Sequence, residues 1–314
     1  MLTGQPFDDI RTVISDLSGP DEQSVTAIRA QANAKPFAEA RGLLDLTAWL
    51  GAWQGTEQPV LKDIHICLLV SSYSHVAEGP AMAADYVDMA AKGRAPVNLL
   101  CVDRGIGLRV IDMAPSVPHA LDGRWSDADC VAAIAFGMEA AAAGGDLLGL
   151  SDFAPGNEAP AAALIAYCLA GSLEGGNDLL TDEEPVFVAA RTMLSSIDLP
   201  PNQPLAALRL LGGREIAGMV GAMIAARSAG LPVLTDGWAA LGAIAVLEAL
   251  SKEAAAHVRV AGVADTAQAR LMAQMKRTPL IGVPVGVGPG CAVAAGLPVL
   301  AAAAALPGVP ERRR

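Results

Sequence analysis

At 314 residues, the chain can bury a sizeable core as one large domain, or as one large and one small, without covalent staples. Its net charge of −11 argues against a basic, phosphate-tracking surface, and 4% aromatic residues leave little for base stacking, so no nucleic acid partner is expected. Five scattered cysteines and four histidines, none at paired spacing, argue against a disulfide framework or a metal site and fit a reducing, cytoplasmic setting.

The N-terminal stretch "MLTGQPFDDIRTVISD" has early acids and no long apolar run, which does not fit a signal peptide. Through residue 60 the pattern is helical. "FDDIRTVISDL" and "DEQSVTAIRAQANA" space apolar residues three and four apart, and Ser18-Gly19-Pro20-Asp21 supplies a stop and a cap. Short apolar runs then alternate with Ala-rich helical stretches. "IHICLLV" (64–70), "VNLLCVD" (97–103), "LLGL" (147–150) and "PVLTDG" (232–237) read as strands buried on both faces. "AMAADYVDMAAKG", "DADCVAAIAFGMEAAAAGG" and "REIAGMVGAMIAARSAG" read as helices ended by glycine. "LEGGNDLLTDEEP" and "DLPPNQP" read as loops. From Pro279 to Pro310 there is no charge, yet Pro284, Pro289, Pro298 and Pro307 interrupt the run. Its longest part free of Gly and Pro, Val299 to Leu306, falls far short of the roughly 20 residues a membrane span needs. This stretch reads as a buried glycine loop followed by a buried alanine helix.

The alternation predicts an α/β fold: a doubly wound, Rossmann-like parallel sheet over 61–264. The helical ends, 1–60 and 265–314, are expected to form a small second domain. In such sheets ligands sit beyond the carboxyl ends of the strands. That points to Ser71–His75, Asp103–Gly107, Ser151–Asn157 and Thr235–Trp238. "GVGPG" (286–290) adds a loop whose glycines let a backbone approach a phosphate closely.

Several of these segments carry a family resemblance. "GGREIAGMVGAMIAARSAGLPVLTDGW" (212–238), followed by an Ala-rich helix and "GVGPGCAVA", resembles the nicotinate-nucleotide:dimethylbenzimidazole phosphoribosyltransferases. So does "LLGLSDFAPGNEAPAAALIA" (147–166), and Lys35-Pro36 matches the start of an N-terminal family segment. The resemblance implies transfer of phosphoribose from nicotinate mononucleotide to a benzimidazole nitrogen, without a cofactor, in a protein that works as a pair of subunits. It implies nucleotide and phosphate contacts at Ser151, Asn157, Gly212, Gly213, Asp236, Gly286, Gly288 and Gly290.

The chain departs from the family pattern where chemistry is expected. The glycine-loop glutamate that serves the family as general base aligns with Val287, and valine accepts no proton. A second family carboxylate aligns with Asp152, and a Thr-Thr pair becomes Glu158-Ala159. The segment after "AEG" (77–79), part of the family's benzimidazole slot, and a "GSGNI"-type loop are expected to be missing. One reading keeps phosphoribosyl transfer, with Asp152 or Glu158 as base and a flat aromatic base as acceptor. A second makes the chain a non-catalytic relative that binds a nucleotide or base, or pairs with a competent paralogue. A third is a scaffold without ligand. A homodimer or heterodimer is expected, on the family habit and on the close packing that the small residues of 216–229 allow. The simpler roles are a helix cap for Asp152, a turn for Asp236, packing for Trp53 and Trp238, and a solvated helix face for Arg214 and Arg227.

Overall fold

The structure, a computed structural model, describes residues 4–33, 41–282 and 288–308. The chain opens with three helices, α1 (Asp8–Ser15), α2 (Glu22–Asn33) and α3 (Arg41–Gln54). β1 (Ile64–Val70) leads through α4 (Gly79–Ala91) and α5 (Pro96–Arg104) to β2 (Gly107–Asp112). α6 (Asp127–Gly137) and β3 (Leu147–Phe153) follow, then a helical insertion of α7 (Glu158–Ala170), α8 (Leu173–Leu179), α9 (Pro185–Ser196) and α10 (Pro204–Leu211). α11 (Arg214–Ser228), β4 (Val233–Thr235), α12 (Trp238–Leu250), β5 (Val258–Val260), α13 (Thr266–Gln274) and α14 (Cys291–Ala305) complete the chain.

The five strands are all parallel, in the order β2-β1-β3-β4-β5. Alternate residues of β1 feed opposite layers, as the period of two requires. Cys67 and Leu69 join the core built with α6, α7, α11 and α12, whereas Ile66, Leu68 and Val70 join the one built with α3, α4, α5 and α14. The expected doubly wound parallel sheet is therefore present. At the chain's ends α3 packs on α14, where Thr47 Oγ1 donates to the Ala303 carbonyl at 2.7 Å.

Two expected strand and loop assignments are overturned. "VNLLCVD" is helix α5, not a strand. Pro96 starts it, the Asn98 side chain accepts from the Ala95 N–H at 3.0 Å, and Gly105, with φ of 65°, ends it. Its apolar look misleads because Leu99 and Val102 face solvent, 67% and 82% exposed. The second strand is instead "GLRVID", a sheet edge whose half-exposed residues give no apolar run. Asp103–Gly107 therefore lead into β2 and lie at the amino end of the sheet, away from the ligand edge. Within "LEGGNDLLTDEEP", Leu173–Leu179 form α8, capped by the Ser172 side chain on Gly175 N–H.

The Gly-rich helix expected to serve a dimer is used inside the chain. On α11, a Cβ at Gly221 would stand 1.8 Å from the Ile134 carbonyl, and a Cβ at Gly137 of α6 would stand 1.9 Å from the Gly218 carbonyl. The two backbones cross in direct contact, so this face carries no argument for a second subunit. No helix of the described residues is long and apolar enough to cross a membrane.

Candidate active site

The chain runs from β1 outward to β2 and then returns to place β3 on the other side of β1. Such a reversal opens a crevice at the carboxyl ends of the two central strands. β3 continues three residues past the expected end, so Ser151 and Asp152 lie on the strand, with Asp152 in register with Leu69 of β1. Asp152 is thus not the cap of α7. That helix starts after Asn157, whose side chain donates to Asp152 Oδ2 at 2.6 Å.

Beyond β4, Asp236 is buried and does more than turn the chain. It accepts the Ser151 hydroxyl on one oxygen and the Val293 N–H on the other at 3.2 Å, while Ser151 Oγ accepts the Gly290 N–H at 2.7 Å. The ends of β3 and β4 thereby grip the start of α14. Burial raises the affinity of Asp236 for a proton, and these hydrogen bonds oppose the shift.

A second clasp sits behind Asp152. Glu215, in the first turn of α11 and 0% exposed, accepts the hydroxyls of Ser71 and Tyr73, the latter at 2.7 Å. Burial pushes Glu215 upward, and the two hydroxyl donors hold it back. Asp152 is less well provided: its Oδ1 is buried without a hydrogen-bond partner. Burial, then the charge of Glu215, pushes this carboxyl well above the usual range, with Asn157 opposing.

Asp152 and Asp236 open onto a cavity of about 300 Å³. Ser151, Asn157, Glu158 and Gly288 also line it, with an apolar wall that includes Phe153, Trp238 and Pro289. Behind this wall Tyr86 stacks on Phe153 at 4.3 Å between ring centroids. No Lys or Arg is found among the described lining residues. Instead α7, α12 and α14 begin at the cavity; the first turns of α7 and α12 have no side-chain cap, whereas that of α14 is held by Asp236. Among the described residues no cluster has a metal-binding arrangement.

The structure thus gathers Ser151, Asp152, Asn157, Glu158, Asp236 and Gly288 in one place, with Gly290 tied to Ser151. Gly212 and Gly213 lie elsewhere. A Cβ on Gly212 would meet the Leu208 carbonyl at 2.7 Å, and one on Gly213 would meet the Tyr73 hydroxyl at 2.1 Å. Gly286, Val287 and Lys35-Pro36 lie outside the described residues. Arg214 donates to the Val117 carbonyl at 2.6 Å, and Arg227 is buried over Trp53, donating to the Ser18 carbonyl at 2.9 Å. Neither arginine lines the cavity, and Arg227 is not on a solvated face. Sequence reasoning missed Glu215, although it is the sole carboxylate in "REIAGMVGAMIAA", a stretch without other charge after Arg214. It also missed Gly262–Ala264 in the lining, because the three-residue β5 before them left no strand signal.

Residues 18–308 match the sequence profile of a family described as Phosphoribosyltransferase. A nicotinate-nucleotide–dimethylbenzimidazole phosphoribosyltransferase from Rhizobium etli (strain CIAT 652) is 36% identical over 323 aligned positions, covering 96% of this chain and 94% of the relative. The chain belongs to the nicotinate-nucleotide–dimethylbenzimidazole phosphoribosyltransferase family. The similarly named protein of Brucella canis is 34% identical over 315 positions, covering 94% of this chain and 92% of that one. The fold agrees: a crystal structure of the Thermus thermophilus enzyme of the same name superposes with a TM-score of 0.78 at 20% identity, covering 93% of this chain and 97% of that one. Family membership places Asp152 and Asp236 on a scaffold shared with proteins named for phosphoribosyl transfer.

Proposed function

We propose that the chain transfers the phosphoribosyl group of nicotinate mononucleotide to the ring nitrogen of a flat azole base, with Asp152 taking the proton. One observation carries this: Asp152, a carboxylate with one buried oxygen left without a partner, is part of the lining of a cavity that also has an apolar wall. The acceptor nitrogen attacks C1′, the bond from C1′ to the pyridinium nitrogen breaks, and nicotinate leaves with that electron pair. The acceptor's N–H proton passes to Asp152. Positive charge spreads over the ribose as the bond breaks, and the carboxylates around it stabilise that state better than the ground state. Glu158, in the lining, is placed to add to this field. Phosphate would rest on backbone N–H groups at the starts of α7 and α12 and on Gly288, since no described lining cation competes for it.

The test is nicotinate release from nicotinate mononucleotide with benzimidazoles and phenols as acceptors. Asp152→Asn should lower the rate by about 10² to 10⁴, the usual worth of a general base. Wild-type turnover untouched by Asp152→Asn and by Glu158→Gln would overturn the assignment. A second reading rests on Val287, which stands where the resemblance expects the family's loop glutamate. On that reading the chain binds the nucleotide without turning it over, or works beside a paralogous subunit. Binding of nicotinate mononucleotide by calorimetry without nicotinate release, and only weak recovery in Val287→Glu, would favour it.

A further inference from the structure

Of the four neighbouring acids Asp152, Glu158, Glu215 and Asp236, Glu215 alone does not line the cavity, and nothing in the reaction above uses it. It lies on α11, across from the end of β1, and is fully buried. An isolated carboxylate at such a place is costly unless donors satisfy it. Here the hydroxyls of Ser71 and Tyr73 donate to it, and the Asn157 amide and its own backbone N–H add to them. It also leaves position 213 without a side chain, since a Cβ there would stand 2.7 Å from Glu215 Oε2. Hydroxyl donors favour the ionised form, so the clasp fixes a charge. Asp152, on the strand next to β1, has one donor, Asn157, and a bare oxygen. When two buried carboxylates adjoin, the better-solvated one keeps its charge and the other becomes the stronger proton acceptor.

We propose that Glu215 is a positioning residue that acts through Asp152: clamped by Ser71 and Tyr73, it holds a fixed negative charge that makes the Asp152 carboxylate a stronger base. This rests on the reading of Asp152 as the proton acceptor. An ordinary aspartate is a weak acceptor for an azole proton, and a base works best when its proton affinity approaches the working pH. The other groups facing Asp152 are Asn157 and Glu158 at the start of α7, Asp236 after β4, Tyr73 after β1 and Tyr86 on α4. His75, after β1, is turned to the Gly156 carbonyl at 3.0 Å. After burial, the charge of Glu215 is the largest influence on Asp152.

The experiment titrates the full chain carrying ¹³C in its aspartate carboxyls, with the Asp152 signal assigned by its loss in Asp152→Asn. In wild type the midpoint should lie above that of a free aspartate. In Glu215→Gln, which keeps shape and loses charge, it should fall by about one pH unit or more. The acidic limb of nicotinate release should move down with it, while KM for nicotinate mononucleotide changes by less than about threefold. A merely structural Glu215 would leave the Asp152 midpoint where it was, and that result overturns the proposal. Should Glu215→Gln fail to fold, Tyr73→Phe serves: with one donor gone, Glu215 competes for the proton and the midpoint falls by less. An unmoved midpoint there overturns the proposal equally. A shifted midpoint in a chain that releases no nicotinate defeats the transferase reading alone. Turnover with an unshifted midpoint defeats the tuning alone.

Discussion

Gly213 separates a packing role from a ligand role, because the structure gives a steric reason for its lack of a side chain. Its φ of −119° and ψ of −179° are ordinary extended values, so Gly213→Ala introduces no backbone strain. The cost is contact. The added Cβ would stand 2.1 Å from the Tyr73 hydroxyl, 2.6 Å from Tyr73 Cζ and 2.7 Å from Glu215 Oε2. Either the fully buried Tyr73 ring moves, or its 2.7 Å hydrogen bond to Glu215 breaks. A hydrogen bond to a charged group is worth about 1.5–3 kcal/mol, and overpacking costs about 1–3 kcal/mol. By either route the expected loss is about 1–3 kcal/mol, a sizeable share of a typical stability of about 5–15 kcal/mol. Equilibrium urea unfolding, followed by tryptophan fluorescence and far-UV circular dichroism, reads it. Tyr73→Phe removes the nearest clashing atom, so the double variant should be more stable than additivity predicts by about 1 kcal/mol. A Gly213→Ala cost below about 0.5 kcal/mol would refute the steric account. Full stability with lost binding of nicotinate mononucleotide would instead make Gly213 a substrate contact.

Two further outcomes follow from packing and burial. Gly221→Ala, whose Cβ would stand 1.8 Å from the Ile134 carbonyl, must pry α11 from α6 and should cost more than about 3 kcal/mol by urea unfolding. A cost under about 1 kcal/mol would mean the helices do not cross as described. His257 is fully buried, its Nε2 donates to the Met223 carbonyl at 2.8 Å, and burial lowers its pKa from 6.5 to about 3. The unfolded chain therefore takes up a proton below pH 6.5 while the folded one does not, so stability is full above that pH and lost as pH falls toward 3. By pH 5 the loss from this residue is about 2 kcal/mol. His257→Gln should shrink the drop in stability between pH 7 and pH 5 by that amount; an equal drop in both proteins would contradict it.

What was legible in the sequence follows from which signals a parallel sheet leaves behind. β1 and β3 are buried on both faces, so "IHICLLV" and "LLGL" stand out as apolar runs. β2 is an edge and β5 has three residues with Arg259 exposed between two valines, so neither leaves a run to find. The site was legible where a polar residue follows a visible strand: Ser151, Asp152, Asn157 and Asp236 all meet at the cavity. Glu215 was hidden because its partners are distant in sequence, and its helix position reads equally as an acid at a helix start. Gly212 and Gly213 drew attention as a phosphate-type pair, but a glycine required by a neighbouring side chain looks the same in one dimension as a glycine required by a ligand.

The charge of the cavity constrains how a nucleotide could lie in it. Three carboxylates and no described Lys or Arg make a wall that repels a phosphate and attracts a cation. Nicotinate mononucleotide carries both kinds of charge, with the pyridinium and C1′ at one end of the ribose and the phosphate at the other. The cavity discriminates between these ends. Asp152 and Asp236 sit at the ends of β3 and β4, deep against the sheet, where burial strengthens their interaction with a cation. The starts of α7 and α12 supply the opposite polarity from backbone N–H groups. A nucleotide bound with C1′ toward the acids meets both fields favourably, and one bound in reverse meets neither. The same arrangement explains why the acids need no compensating cation in the chain. Donors within the chain already hold them: the hydroxyls of Ser71 and Tyr73 on Glu215, the Ser151 hydroxyl and the Val293 N–H on Asp236, and the Asn157 amide on Asp152.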